Sequence, residues 1–141
     1  MSNLKLAKDP NTTSEQLKVL ATDDDWVVCR WVAKHPNTPV ETLKLLATDD
    51  IAGVRRWVAR HPNIPQETLQ LLAIDDDSLV RYGASQHPNT PVEILQLLAT
   101  DDHRSVRYGA AHNPNATEIV RRLYLMTMGR CYDDWVVEEH S

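Results

Sequence analysis

The sequence predicts an all-α chain, a right-handed α-solenoid of about five 26-residue two-helix repeats, on three observations. Pro10, Pro36, Pro62, Pro88 and Pro114 recur at a constant interval of 26 residues, each followed by Asn (Asn11, Asn37, Asn63, Asn89, Asn115). Leu17, Leu43, Leu69, Leu95 and Leu20, Leu46, Leu72, Leu98 recur in one register, with Glu15, Glu41, Glu67, Glu93 and Ala21, Ala47, Ala73, Ala99 in step. Each period holds two short apolar-periodic stretches around an acidic turn. Such a unit cannot bury a core alone and does so by stacking on its neighbours.

The first element is a half-repeat, residues 1–9. Leu6-Ala7-Lys8-Asp9 matches Val32-Ala33-Lys34-His35, so the chain opens on a shortened second helix that serves as an amino-terminal cap. Four periods follow, 10–35, 36–61, 62–87 and 88–113, with a partial one at 114–124 that completes a repeat domain over 1–124. The first helix of a period starts at a capping signature, Thr38-Pro39-Val40-Glu41 and Thr90-Pro91-Val92-Glu93. Thr is expected to accept from an orphan amide, Pro to stand at the first helical position and Glu to reach back to the cap. Thr12-Thr13-Ser14-Glu15 repeats it without the Pro, and Ile64 in place of Thr predicts a start weaker by about 1 kcal/mol. Leu43, Leu45 and Leu46 point in several directions, as expected of a core helix sandwiched between repeats.

Asp23-Asp24-Asp25, Asp49-Asp50, Asp75-Asp76-Asp77 and Asp101-Asp102 then hold ten of the thirteen Asp. Their place before a second apolar stretch suits helix N-capping. The spacing of a calcium loop, with its Gly and distal Glu, is absent. The second helix is expected over Ala52 to Arg60 and its equivalents. Val54 and Val58 (Val28 and Val32, Val80 and Ala84, Val106 and Ala110) face inward, and the helix ends at His35, His61, His87 or Asn113 before a Pro. After Pro114 the register slips by one residue and the period dissolves. Asp133-Asp134-Trp135-Val136-Val137 repeats Asp24-Asp25-Trp26-Val27-Val28, and residues 125–141 read as a divergent cap and tail.

Composition narrows the class. With 42% hydrophobic and 25% charged residues in 141, the chain is too apolar for disorder and too polar to span a membrane. Two Cys, Cys29 and Cys131, fit reduced thiols in a cytoplasmic protein without a signal peptide. The net charge of -5 argues against a surface that attracts nucleic acid or membrane everywhere, while leaving room for a local basic face.

The period P-N-T-P-x-E-x-L-x-L-L-A-x-D-D, followed by V-R and W-V-A before the next His-Pro, resembles the leucine-rich repeat variant family, a branch of the HEAT and armadillo-like solenoids. The resemblance spans residues 4 to 124 and implies the helical repeat fold. Two departures accompany it: the 26-residue period is longer than the family's usual one, and the cysteine cluster that holds an iron-sulfur centre in some members is missing. No cofactor is therefore expected.

His35, His61 and His87 stand one repeat apart, too far to share a metal, and read as turn residues bonding backbone. Arg55, Arg81 and Arg107 follow the core Val and are expected to form a ladder with Asp49, Asp75 or Asp101. Cys29 occupies this place in the first repeat, so the ladder starts one repeat late. No Gly-rich phosphate loop, metal-binding H-E-x-x-H or nucleophile elbow is present, so an enzyme is not expected. Trp31 and Trp57 read as core fillers, with Gly83 and Gly109 either replacing them or opening a groove.

An i, i+4, i+8 stripe on the second helices remains. It reads Trp26, Arg30, Lys34; Ala52, Arg56, Arg60; Ser78, Tyr82, Gln86; Arg104, Tyr108, His112. Five of these twelve are Arg or Lys, three are Trp or Tyr, and none is acidic. Two readings apply: solvated helix-end cations that complement the dipole, or a recognition face built of residues enriched at interface hot spots. The function expected is a non-enzymatic scaffold that binds a protein or peptide, of acidic character, along Trp26, Arg30, Lys34, Arg56, Arg60, Tyr82, Arg104, Tyr108 and His112. The alternatives are a nucleic-acid-binding HEAT-like protein and a HEAT-like enzyme or lyase accessory. The sequence leaves the oligomeric state open.

Overall fold

The computed structural model describes residues 1–128, and every element in them is a helix. In order these are α1 (Asn3–Lys8), α2 (Ser14–Leu20), α3 (Trp26–Lys34), α4 (Val40–Leu46), α5 (Ala52–Arg60), α6 (Gln66–Leu72), α7 (Ser78–Gln86), α8 (Val92–Leu98) and α9 (Arg104–Ala111). A last helix, α10, covers 118–128. Cys131, Trp135 and most of the expected divergent cap lie outside the described residues.

The helices form an α-solenoid. The second helices α3, α5, α7 and α9 pack directly on one another, and α1 packs on α3 in the same way. The first helices α2, α4, α6 and α8 lean on the second helices beside them rather than on each other. The second helices thus form a continuous, closely packed inner layer and the first helices a more open outer one. Among the described residues no helix is long and apolar enough to cross a membrane.

The core follows the register. Leu17, Leu43, Leu69 and Leu95, Leu20, Leu46, Leu72 and Leu98, and Val28, Val54, Val80 and Val106 are all buried. Leu45 departs from expectation: it is 57% exposed, with Val19, Leu71 and Leu97 in the same situation. Leu43 and Leu46 stand three apart on one helical face, and Leu45 lies nearly opposite it. The outer helices scarcely touch, so nothing covers that side. The first helix is thus one-sided rather than sandwiched.

The expected capping box is also displaced. Pro39, Pro65 and Pro91 are the N-caps of α4, α6 and α8 and carry no side-chain cap. Pro therefore sits one place before the first helical residue, where its missing N–H costs nothing. Thr38 and Thr90 are buried and donate from Oγ1 to the carbonyls of Val32 and Ala84 at 2.6 Å, tying each linker to the end of the preceding second helix. Ile64 fills the same buried place with an apolar side chain and cannot make that bond. A reciprocal box does form in the first period, one residue late, between Thr13 and Gln16.

The acidic turns split their work. Asp25 and Asp77 cap α3 and α7, whereas Ile51 stands at the N-cap of α5 and the His103 ring caps α9. Asp23, Asp49, Asp75 and Asp101 instead close the turn, each accepting from the backbone N–H two residues on at 2.8–2.9 Å.

Two ladders run from repeat to repeat. His35, His61 and His87 donate from Nε2 to the carbonyls of Asp9, His35 and His61 at 2.7, 2.8 and 2.7 Å. Their Nδ1 atoms accept from the N–H groups of Asn37, Asn63 and Asn89. Both ring nitrogens are thus consumed by backbone in the neutral tautomer, which is why the sequence keeps His there. Asn113 continues the row, its amide donating to the carbonyl of His87 at 2.9 Å.

The second ladder is ionic. Arg55 grips the Asp75 carboxylate through Nε and Nη2 (2.8 and 3.2 Å) and Arg81 grips Asp101 (2.9 and 3.2 Å). Nη1 of Arg55 donates to the carbonyl of Asp49, and Nη1 of Arg81 to that of Asp75. Each carboxylate raises its partner guanidinium further above its ordinary value. Cys29 takes the place of Arg in the first repeat; burial, then the charges of Asp49, Asp23 and Asp25, pushes its thiol up.

Candidate functional site

The layer of second helices carries the stripe. Trp26 is 43% exposed, and the Arg30 guanidinium lies 5.4 Å from its ring centroid. The ring rests over Gly53, where a Cβ would stand 3.4 Å from Cζ3. The absence of a side chain at Gly53 seats the indole. Trp26, Arg30, Arg56, Trp57 and Arg60 line one cavity of about 330 Å³.

Trp31 and Trp57 pack against the core from its edge rather than filling its centre. Both are half-buried at the margin of the core with cations on their faces. Lys34 Nζ sits between them, 4.0 Å from the Trp31 centroid and 4.3 Å from that of Trp57. Lys8 lies 5.1 Å from Trp31 and Arg60 5.4 Å from Trp57. The series Lys8, Trp31, Lys34, Trp57, Arg60 therefore alternates along three helices. Each such contact is worth about 0.5–1 kcal/mol at a wet surface, and together they hold flexible cations in fixed positions.

The series stops at Gly83 because the helices close up. A Cβ there would lie 2.8 Å from the Ala59 Cβ, and one at Gly109 would strike the Ser85 side chain. These two glycines accommodate close approach of α5, α7 and α9 and do not open a groove.

Arg56 differs from the other stripe cations. Its Nη2 and Nε bind the Asp77 carboxylate at 2.7 and 3.0 Å. That pair, with backbone N–H bonds from Leu79 and Val80, lowers the Asp77 carboxyl to about 2. The signal was present in the sequence, since Asp77 is the third member of its cluster and stands 21 residues after Arg56. Arg30, Lys34, Arg60 and Arg104 form no ion pair among the described residues.

A second cavity, about 400 Å³, lies at the other end of the layer between α7, α9 and α10. It gathers Tyr82, Arg104 and Tyr108 from the stripe with Arg107 and Tyr124. His112 stacks on Tyr108 with ring centroids 3.8 Å apart, and meets Tyr124 edge-on at 6.2 Å. Ser78 and Gln86 add little, Gln86 donating to the Tyr82 hydroxyl at 2.8 Å. Trp26, Arg30, Arg56 and Arg60 thus line one aromatic–cationic cavity and Tyr82, Arg104 and Tyr108 another, with Lys34 apart from both between Trp31 and Trp57. Sequence reasoning missed Trp57, Arg107 and Tyr124 as contributors, because a tryptophan in an apolar register reads as core and α10 lies beyond the regular period.

Residues 52–77 match the family model described as leucine rich repeat variant. That segment is one full period, from the first residue of α5 to the cap of α7, and contains Arg56, Trp57 and Arg60. No curated protein and no solved structure matches the chain. The chain is a helical-repeat solenoid, an architecture that presents an extended surface.

Proposed function

We propose that the chain binds an extended, acidic segment of another protein along its layer of second helices, with Trp26, Arg30, Lys34, Arg56, Arg60, Tyr82, Arg104, Tyr108 and His112 as contacts, as a scaffold without chemistry of its own. One observation carries the reading: in a chain of net charge -5, cations without an acidic partner among the described residues stand beside aromatic rings on the inner layer. Carboxylates of the segment would bond Arg30, Arg60 and Arg104, and its apolar groups would lie against Trp26 and Tyr108. Complementary charge of this kind steers encounter and fixes register.

The test is capture from source-cell lysate by the wild-type chain and by an Arg30→Glu, Arg60→Glu, Arg104→Glu variant, with and without nuclease. Arg56 is left intact because its loss would strand Asp77. A protein captured despite nuclease and lost with the variant supports the reading. Recovery of nucleic acid alone, weakening steeply with salt, would replace it with a nucleic-acid interface.

A further inference from the structure

Among the described residues the ionic ladder ends without a carboxylate partner. Arg55 holds Asp75 and Arg81 holds Asp101, each carboxylate twenty residues ahead, and Arg107 repeats the first half of the motif by donating from Nη1 to the carbonyls of Asp101 and Asp102 at 2.7 and 3.0 Å. Twenty residues ahead of Arg107 stands Thr127, within α10, which runs straight on where earlier repeats turn. Among the described residues Arg107 Nε is the one buried side-chain nitrogen or oxygen that has no hydrogen-bond partner. A buried guanidinium N–H left open is costly, and a carboxylate is the group that its fork fits.

Arg107 also lines the cavity of about 400 Å³ between α7, α9 and α10. Exposed Arg104 adds a second positive charge, while Tyr82, Tyr108 and Tyr124 supply aromatic walls. That volume lies within the range that holds a small organic molecule.

We propose that this cavity is a binding site for a small carboxylate carried on a flat aromatic or apolar body, held at the Arg107 guanidinium, which no carboxylate of the described residues pairs as Asp75 and Asp101 pair Arg55 and Arg81. Arg104 adds charge from the rim and the tyrosine rings cover the body. The site shares Tyr82, Arg104 and Tyr108 with the stripe but does not rest on the peptide reading, since it follows from the interrupted ladder alone.

The experiment titrates the full chain with benzoate and follows the Nε–Hε resonance of Arg107 by nuclear magnetic resonance. Binding is expected to shift that resonance in a saturable way while those of Arg55 and Arg81 stay in place. Arg107→Lys keeps a donor for the Asp101 and Asp102 carbonyls but loses the fork, so it should weaken benzoate by about tenfold with the fold retained. Arg104→Gln should weaken it less. An Arg107 resonance unmoved by benzoate, or equal benzoate affinity in the Arg107→Lys chain, would overturn the proposal.

Discussion

Replacing His61 by Ala should cost about 3 kcal/mol of stability, and replacing it by Asn less than about 1 kcal/mol. The ring is 2% exposed, donates to the His35 carbonyl at 2.8 Å and accepts from Asn63 N–H at 3.1 Å. Alanine removes both bonds and leaves a buried carbonyl unsatisfied, each loss being worth about 1–1.5 kcal/mol, with a small cavity added. Asparagine is the conservative control, because Asn113 already fills the equivalent place: it donates to the His87 carbonyl and accepts from Asn115 N–H at 2.8 Å. The ladder also has a pH signature. Burial is the main cause that lowers His61 below its ordinary 6.5, so the unfolded chain binds the extra proton first. Its contribution to stability is complete above about pH 6.5 and fades as the pH falls through that value toward the lower folded one. Urea unfolding followed by circular dichroism at pH 7.5 and 5.5 measures both effects. Equal losses for Ala and Asn, or a pH dependence unchanged by His61→Asn, would refute the ladder as the reason for the histidine.

Other outcomes follow from single contacts. Gly83→Ala should destabilise by about 1–3 kcal/mol because its Cβ meets that of Ala59, whereas Gly53→Ala, in ordinary contact with Trp26, should stay within about 0.5 kcal/mol; thermal melts compare them. Asp77→Asn removes the Arg56 pair and weakens the α7 cap, for a loss of about 1–2 kcal/mol at pH 7 after allowance for solvent screening. Because the Asp77 carboxyl is lowered to about 2 from 3.8, that difference should persist down to about pH 4 and vanish as the pH falls through 2, which acid titration of both chains would show. In a Cys131→Ser chain, the buried and raised Cys29 thiol should react with a disulfide reagent only as fast as the fold opens; prompt labelling in native buffer would contradict its burial.

The fold was legible because the period repeats every signal. Five Pro-Asn pairs and the leucine register give the helices, and α5 begins and ends at Ala52 and Arg60 as the pattern indicates. What was not legible depends on the third dimension. Thr38 looks like a cap by local sequence, yet its hydroxyl goes to the carbonyl of Val32, and competition between two backbone acceptors cannot be settled from spacing. Leu45 reads as core until the outer helices prove too far apart to cover it. Trp57 carries the same apolar label as a buried residue, and only the placement of Lys34 and Arg60 reveals a surface ring. The ladder partners were named as a set, but the choice of Asp75 over Asp49 for Arg55 follows from the rise between repeats. The open end of that ladder at Arg107 was invisible because α10 continues through the place of the next turn.

Recognition is proposed on the layer of second helices. It is tested most directly by comparing two folded variants for capture of the same nuclease-resistant partner: Arg30→Glu, Arg60→Glu, Arg104→Glu on the inner face, and Leu45→Ser, Leu71→Ser, Leu97→Ser on the exposed outer row. The inner variant should lose the partner and the outer one keep it. Retention by the inner variant with loss by the outer one would move the interface to the exposed leucines.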